Sequence, residues 1–298
     1  MPLLFFVYIL LLQIKVQTMG NALKLGIVGN GFVGNATSGL SCKKNSVFIY
    51  DRVDYKSHPH NCTMDDIRSC DLIFICLPTP MNKEGDCHTD FISQAIADFS
   101  TEEKAKTFIR STTPVGFCKE LGVNHFPEFL TEANASVDFI ETDTWVLGID
   151  NTNLEIYSSI KAALTNAKEA NAIKSDNVFL TQSNTSEFIK LARNSVLATK
   201  VSLFNELYKI AEGKHIGWNE ALNGILIDDR ITSSHTKVPC NGNFGFGGTC
   251  FPKDISNLIN CAKKSDVETF ILDAAQERNN KLDRPLKDWA FDINRSVI

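Results

Sequence analysis

The sequence predicts an α/β fold, a doubly wound parallel sheet, followed by an all-α region. Three observations predict it. Short, continuously apolar runs alternate with polar, helix-compatible segments through the N-terminal part. A glycine-rich turn sits between the first such run and the segment after it. From Ser186 to Glu212 the chain then loses all Gly and Pro and takes on a helical period.

The apolar runs are "KLGIVG" (24–29), "VFIY" (47–50), "DLIFICLP" (71–78), "TFIRST" (107–112), "WVLGI" (145–149) and "NVFLTQ" (177–182). Continuous rather than alternating hydrophobicity suits strands buried on both faces. Their repetition with intervening helical segments reads as βαβ units. Cys76, inside one of these runs, is expected to be a small core residue. In the stretch 186–212, Ile189, Ala192, Val196, Leu203, Leu207 and Ile210 recur at threes, fours or their sum, which predicts one long amphipathic helix. Further helices are predicted at about 217–227, 252–265 and 267–296. The expected boundaries are an apolar extension over 1–19, a sheet domain over 20–183 and a helical domain over 184–298.

With 298 residues, 43% of them hydrophobic, the chain can build one large core or two ordinary ones. Thirty basic residues stand against 35 acidic, a net charge of −5, which argues against a nucleic-acid scaffold. The nine cysteines (42, 62, 70, 76, 87, 118, 240, 250 and 261) are irregularly spaced and form no CxxC pair. They signal neither a disulfide framework nor a metal site, and point to a reducing, cytoplasmic compartment. The opening "MPLLFFVYILLLQIKV" is shorter than the roughly 20 residues of a membrane span. It also lacks the basic front and small-residue cleavage site of a secretory leader. An upstream extension with Met19 as the start is the expectation; a membrane tether or a cleaved leader are the alternatives.

"GNGFVG" (29–34) is G-x-G-x-x-G, placed between a strand pattern and a helix pattern, and Asp51 closes the next strand 20 residues after Gly31. This is the context of a Rossmann-type dinucleotide fingerprint. Gly29 permits the tight turn, Gly31 lets backbone approach a pyrophosphate, and Gly34 allows close helix–strand packing. Phe32 and Val33 open the helix whose N–H groups would face the phosphates. Asp51 would accept from the ribose hydroxyls, which favours NAD, whereas Arg52 beside it keeps a 2′-phosphate open. Thr79 in "CLPTP" and Thr112 in "RSTTPVG" close strand patterns on the side where an open α/β sheet holds its ligand.

Glu128 and Glu132 stand four positions apart in "FPEFLTE", so a helix there would put both on one face. Lys190 and Asn194 have the same spacing on the long helix and together could hold a water or an oxyanion. "GFGGTCFPKD" (245–254) places Cys250 just ahead of a helix start marked by Pro252, where the helix dipole favours a thiolate. Asp254 falls in the first turn, and Gly245, Gly247 and Gly248 would let backbone approach a bulky polar ligand. A thiol near a nicotinamide site suggests covalent capture of an aldehyde.

The motifs "GNGFVG", "CLPTP", "STTPVG", "PEFLTE", "KLARN", "FNE", "DDRI" and "GFGGTCFPKD" occur in this order between residues 24 and about 280. Together they resemble the UDP-glucose/GDP-mannose 6-dehydrogenase family, most closely its UDP-glucose branch. The resemblance implies a four-electron, NAD-linked oxidation of the sugar C6 through a thiohemiacetal and a thioester on Cys250. It implies that Lys190 and Asn194 stabilise oxyanions on C6 and that Asp254 assists proton transfer. Thr112 and Glu128 would hold a water network, and Glu132 would lie near the nicotinamide. The sugar and diphosphate would meet Glu128, Phe129, Leu130, Lys190 and Asn194, and the loop Asn243, Phe244, Gly245, Phe246, Gly247 and Gly248. Arg230 would reach the substrate of a neighbouring subunit in a homodimer built on the long helix.

The pattern departs from the family in three places. Phe126 stands where the family usually has a polar residue, the loop "TSSHTKVPCNGN" (232–243) matches weakly, and residues 1–19 have no counterpart. Family members also continue into a nucleotide-holding domain of on the order of 100 residues or more, whereas this sequence ends at Ile298. The expectation is therefore an active dehydrogenase, against the alternative of a non-catalytic NAD-binding, dimerising protein or a subunit needing a separate nucleotide-binding domain.

Overall fold

The computed structural model describes residues 22–150, 153–291 and 295–298. The apolar opening segment, with its tether and leader readings, lies outside the described residues. The chain divides into two compact units: residues up to Pro78 with Thr89–Lys190, and Thr79–His88 with Leu191–Ile298.

The first unit is built on seven strands: β1 (Leu23–Val28), β2 (Asn45–Tyr50), β3 (Leu72–Ile75), β4 (Thr107–Ile109), β5 (Asn124–His125), β6 (Trp145–Gly148) and β7 (Val178–Thr181). They lie in the order β2-β1-β3-β4-β5-β6-β7. All neighbours run parallel except β5 and β6, which meet antiparallel at His125 and Gly148. β3 shows why the runs are continuous. Leu72 and Phe74 join one core with Leu25, Phe108 and Leu147, while Ile73 and Ile75 join another with Ile92, Ile96 and Ile109. Helices α1 (Phe32–Thr37), α2 (Met64–Arg68), α3 (Asp90–Ala95), α4 (Thr101–Ala105), α5 (Phe117–Leu121), α6 (Ala135–Ile140) and α7 (Leu154–Glu169) are distributed over both faces. Thr63 with Asp66 and Ser100 with Glu103 form capping boxes that start α2 and α4.

β5 has no apolar run behind it. Its two residues are polar and buried, and Asn124 Nδ2 donates to the carbonyls of Ala105 (2.8 Å) and Thr107 (3.1 Å). Buried amides satisfied in this way are stable without hydrophobic sequence.

Helix α8 (Ser183–Gly213) begins in the first unit and continues into the second. There it is joined by α9 (Trp218–Ile225), α10 (Phe251–Lys263) and α11 (Phe270–Arg278). Ala198 of α8, Phe246, Ile255, Ile259 and Ala275 form the second unit's core. The buried side of α8 is mixed, carrying Ser195, Ala198, Ser202 and Asn205 beside Leu191 and Phe204. The apolar stripe read from the sequence is largely turned outward instead: Val196 is 65% exposed, Leu203 52% and Ile210 56%. The predicted helix over 267–296 also breaks. α11 gives way to a π turn, Asn279–Asp283, and Pro285 then follows, whose ring and missing N–H oppose continuation. The segment Thr79–His88 lies along α10, with Asn260 Nδ2 donating to Glu84 O (2.9 Å) and Lys264 paired with Asp86 (2.9 Å). Among the described residues no helix is long and apolar enough to cross a membrane.

Candidate active site

In the first unit the glycine turn follows β1. Gly29 adopts φ +92°, and a Cβ on Gly34 would overlap the Gly29 carbonyl, so only glycines let α1 lie this close to the turn. A Cβ on Gly31 would meet nothing within 4 Å, which leaves open space over the turn. Asp51, just past β2, accepts from Asn30 N (2.7 Å) and Val53 N (2.9 Å) and so ties that turn to its own loop. Phe32 and Val33 pack partly against the core. Arg52 is exposed. Thr112 is buried beyond the end of β4, whereas Thr79 is buried within the second unit.

The "FPEFLTE" segment is not helical, so Glu128 and Glu132 do not share a helix face. Phe126 belongs to an aromatic core cluster, with Trp145 at 5.6 Å and the Arg110 guanidinium 4.1 Å above its ring. Glu128 is buried and Glu132 is exposed. Lys190 Nζ donates to Glu128 Oε1 (2.8 Å) and to its carbonyl (2.8 Å), while Leu130 N donates to Oε2 (2.8 Å). The Phe129 ring lies 5.5 Å from Nζ. A buried ammonium is thus matched by a buried carboxylate.

Spacing gave no hint of Glu187, one turn before Lys190 and fully buried. Its carboxylate accepts from Gly116 N (2.6 Å), Cys118 N (2.8 Å) and Thr113 Oγ1 (3.1 Å), so α8 fixes the loop that follows Thr112. Burial pushes its carboxyl above the usual range, against these hydrogen bonds.

In the second unit Cys250 is the N-cap residue of α10, and its carbonyl accepts the first helical bond from Asp254 N (2.9 Å). Thr249 Oγ1 lies 3.7 Å from its sulfur. Asp254 is completely buried; Asn194 Nδ2 donates to its Oδ2 (2.5 Å) and Lys253 Nζ to its Oδ1 (2.6 Å). Burial opposes the charge on Lys253. The Asp254 carboxylate, then the sulfurs of Cys250 and Cys87, outweigh that and hold the ammonium well above its ordinary range. A lasting cation thus stands in the first turn behind the thiol. The Cys87 thiol, 3.8 Å from Thr79 O, is pushed up to about 11 by burial. Cys76 is pushed up to about 12 by the same cause, as suits a core thiol.

The loop before Cys250 is partly occupied by its own chain. Phe246 points into the core, Phe244 packs 5.5 Å from the Tyr208 ring, and Asn243 and Gly248 are exposed. Arg230 is exposed and paired with Asp228 (2.5 Å).

The NAD-binding domain of the UDP-glucose/GDP-mannose dehydrogenase family matches residues 56–165, and the central domain of the same family matches residues 184–281. The chain belongs to the UDP-glucose/GDP-mannose dehydrogenase family. The UDP-glucose 6-dehydrogenase of Rickettsia typhi is 31% identical over 233 residues, covering 74% of this chain and 51% of the relative. The UDP-glucose 6-dehydrogenase TuaD of Bacillus subtilis is 29% identical over 247 residues, covering 78% and 51%. The chain therefore spans about half the length of these curated relatives. In fold it is similar to a UDP-glucose dehydrogenase from Pyrobaculum islandicum, with a TM-score of 0.73 at 21% identity over 89% of this chain and 69% of the other. NAD is the cofactor of this family's first domain, and the open space at Gly31 and the Asp51 carboxylate fit a dinucleotide.

Proposed function

We propose that the chain is an NAD-dependent nucleotide-sugar 6-dehydrogenase that oxidises UDP-glucose to the uronate. The observation that carries the reading is the N-cap thiol of Cys250, backed by Lys253 and by an Asp254 that Asn194 also holds. Dipole and cation both favour a thiolate there, the form that attacks carbonyls.

Gly29, Gly31, Phe32, Val33, Gly34, Asp51, Thr79, Thr112 and Glu132 would hold NAD, with Arg52 beside them. When bound, NAD takes up the hydride that each oxidation removes from C6. The first oxidation removes that hydride from C6 and the proton from its hydroxyl, which passes to solvent, and leaves an aldehyde. Cys250 Sγ adds to the aldehyde carbon, and the former carbonyl oxygen gains a proton, giving a thiohemiacetal. Loss of the second hydride and of that proton leaves a thioester on Cys250. Water adds to its carbonyl, the C–S bond breaks, the sulfur leaves as thiolate and the uronic acid departs.

Lys190 and Asn194 stabilise negative charge on the C6 oxygen. Glu128 pairs with Lys190 and aims its ammonium. Asp254 moves protons or orients the hydrolytic water, with Thr112 contributing to the water network. Phe129, Leu130 and the loop from Asn243 to Gly248 contact sugar and diphosphate. The exposed stripe of Val196, Leu203 and Ile210 supports a homodimer, in which Arg230 would serve the neighbouring site. The cytoplasm is the proposed location.

Purified protein given NAD and UDP-glucose should release two NADH per sugar, as the two-step chemistry requires. NAD binding without NADH release from UDP-glucose, GDP-mannose or UDP-N-acetylmannosamine would point instead to a non-catalytic NAD-binding protein or to a subunit needing a further nucleotide-binding domain.

A further inference from the structure

Three side chains hold the backbone of the loop that leads to Cys250. Arg284 Nε donates to Phe244 O (2.9 Å). Asn205 Oδ1 accepts from Gly245 N (3.1 Å). Asn279, fully buried, accepts from Phe246 N (2.8 Å) and donates to Phe246 O (2.9 Å), as a neighbouring strand would. Asn279 opens the π turn that follows α11, a widened turn of the kind frequent at functional sites. Arg284 is in turn held by Asp288 (2.5 Å).

The same residues account for two of the glycines. A Cβ on Gly245 would overlap Asn279 Oδ1 and come within 2.8 Å of Asp283 Cβ. A Cβ on Gly247 would overlap Arg284 Nη1 and come within 2.8 Å of its Cζ. Gly245 also has φ +64°, which strains any side chain, whereas Gly247 lies outside that region and a Cβ there would have to displace the Arg284 guanidinium from its bonds to Phe244 O and Asp288. At Gly248 a Cβ would meet nothing within 4 Å.

We propose that Asn279 and Arg284 are positioning residues that set the glycine-rich loop ahead of Cys250, and that Gly247 is a glycine because of Arg284 rather than because of a ligand. The proposal rests on the dehydrogenase reading only for the activity arm of its test.

Gly247→Ala, Arg284→Ala and the double variant would be compared for the rate at which iodoacetamide alkylates Cys250, resolved by peptide mass spectrometry. The Cys42 peptide, in the other unit, is the internal control. Gly247→Ala, which displaces the guanidinium, and Arg284→Ala, which removes it, should each change the Cys250 rate and leave Cys42 unaltered, and the double variant should be no more changed than Arg284→Ala alone. With UDP-glucose and NAD, kcat/KM should fall on the order of tenfold in Gly247→Ala and in Arg284→Ala, as small misplacements of catalytic groups do, and fall no further in the double variant. A Gly247→Ala protein indistinguishable from wild type overturns the proposal. So does an Arg284→Ala protein indistinguishable from wild type, or a double variant whose loss is the product of the two single losses. If no sugar is turned over, the alkylation arm still decides.

Discussion

The side-chain amide of Asn194 donates to Asp254 Oδ2 at 2.5 Å, where Asp254 is fully buried and holds Lys253 at 2.6 Å through its other oxygen. Removing that single negative charge leaves the Lys253 ammonium, whose side chain is only 11% exposed, without its counter-ion. Asp254→Asn is expected to destabilise the protein by about 3–5 kcal/mol, measured by urea unfolding. A loss below about 1 kcal/mol, the level of an exposed pair, would contradict the geometry.

The Lys190–Glu128 pair gives the same argument in the first unit. Glu128→Gln strands the lysine, whereas Glu128→Gln with Lys190→Met removes both charges. The double variant should therefore be more stable than Glu128→Gln alone, since the cost lies in the unpaired charge. Denaturation curves for the two proteins decide; equal or lower stability in the double variant would count against a coupled pair.

His125 carries an acid-sensitive part of the stability. Burial pushes its imidazole down from 6.5 to about 3, and its Nδ1 sits 2.9 Å from Ser186 Oγ. The unfolded chain binds a proton below pH 6.5 that the folded chain refuses until about pH 3. Stability from this group is thus complete above 6.5 and falls as pH drops, by up to about 1.4 kcal/mol per pH unit. His125→Asn should flatten the curve in that window, so the gap between wild type and variant differs at pH 7 and pH 5. An unchanged gap would show that the imidazole does not titrate this way.

Val196, Leu203 and Ile210 recur every seven residues along the exposed side of α8. A stripe of this kind suits a helix pairing with a second copy. Light scattering should find a dimer for the wild type and a monomer for Leu203→Glu. A monomeric wild type would leave the stripe unexplained.

Residues that act through their own type and spacing were legible in the sequence. The runs of β1, β3 and β6 had to be apolar throughout because helices cover both faces, and that leaves a continuous signature. β5 escaped because Asn124 and His125 are buried through hydrogen bonds and packing of polar groups. The period of α8 was plain, but its facing was not. A period says that one side is apolar, not whether the chain's own core or another surface covers it, and here the core takes Ser195, Ala198, Ser202 and Asn205 with Leu191 and Phe204, while Val196, Leu203 and Ile210 stay outside. Cys250 and Asp254 could be read from their place at a helix start. Glu187, Asn279 and Arg284 could not, because each acts on a segment tens of residues away with no local pattern to mark it. The glycines before Cys250 were visible, while the side chains that make two of them necessary were not.

The proposed oxidation runs through a covalent bond between the substrate carbon and Cys250. Peptide mass spectrometry on protein acid-quenched during turnover of UDP-glucose with NAD detects that bond. A uronyl-nucleotide adduct on the Cys250 peptide is expected in wild type, with neither adduct nor uronate in Cys250→Ala. Uronate formed at an undiminished rate by Cys250→Ala would contradict it.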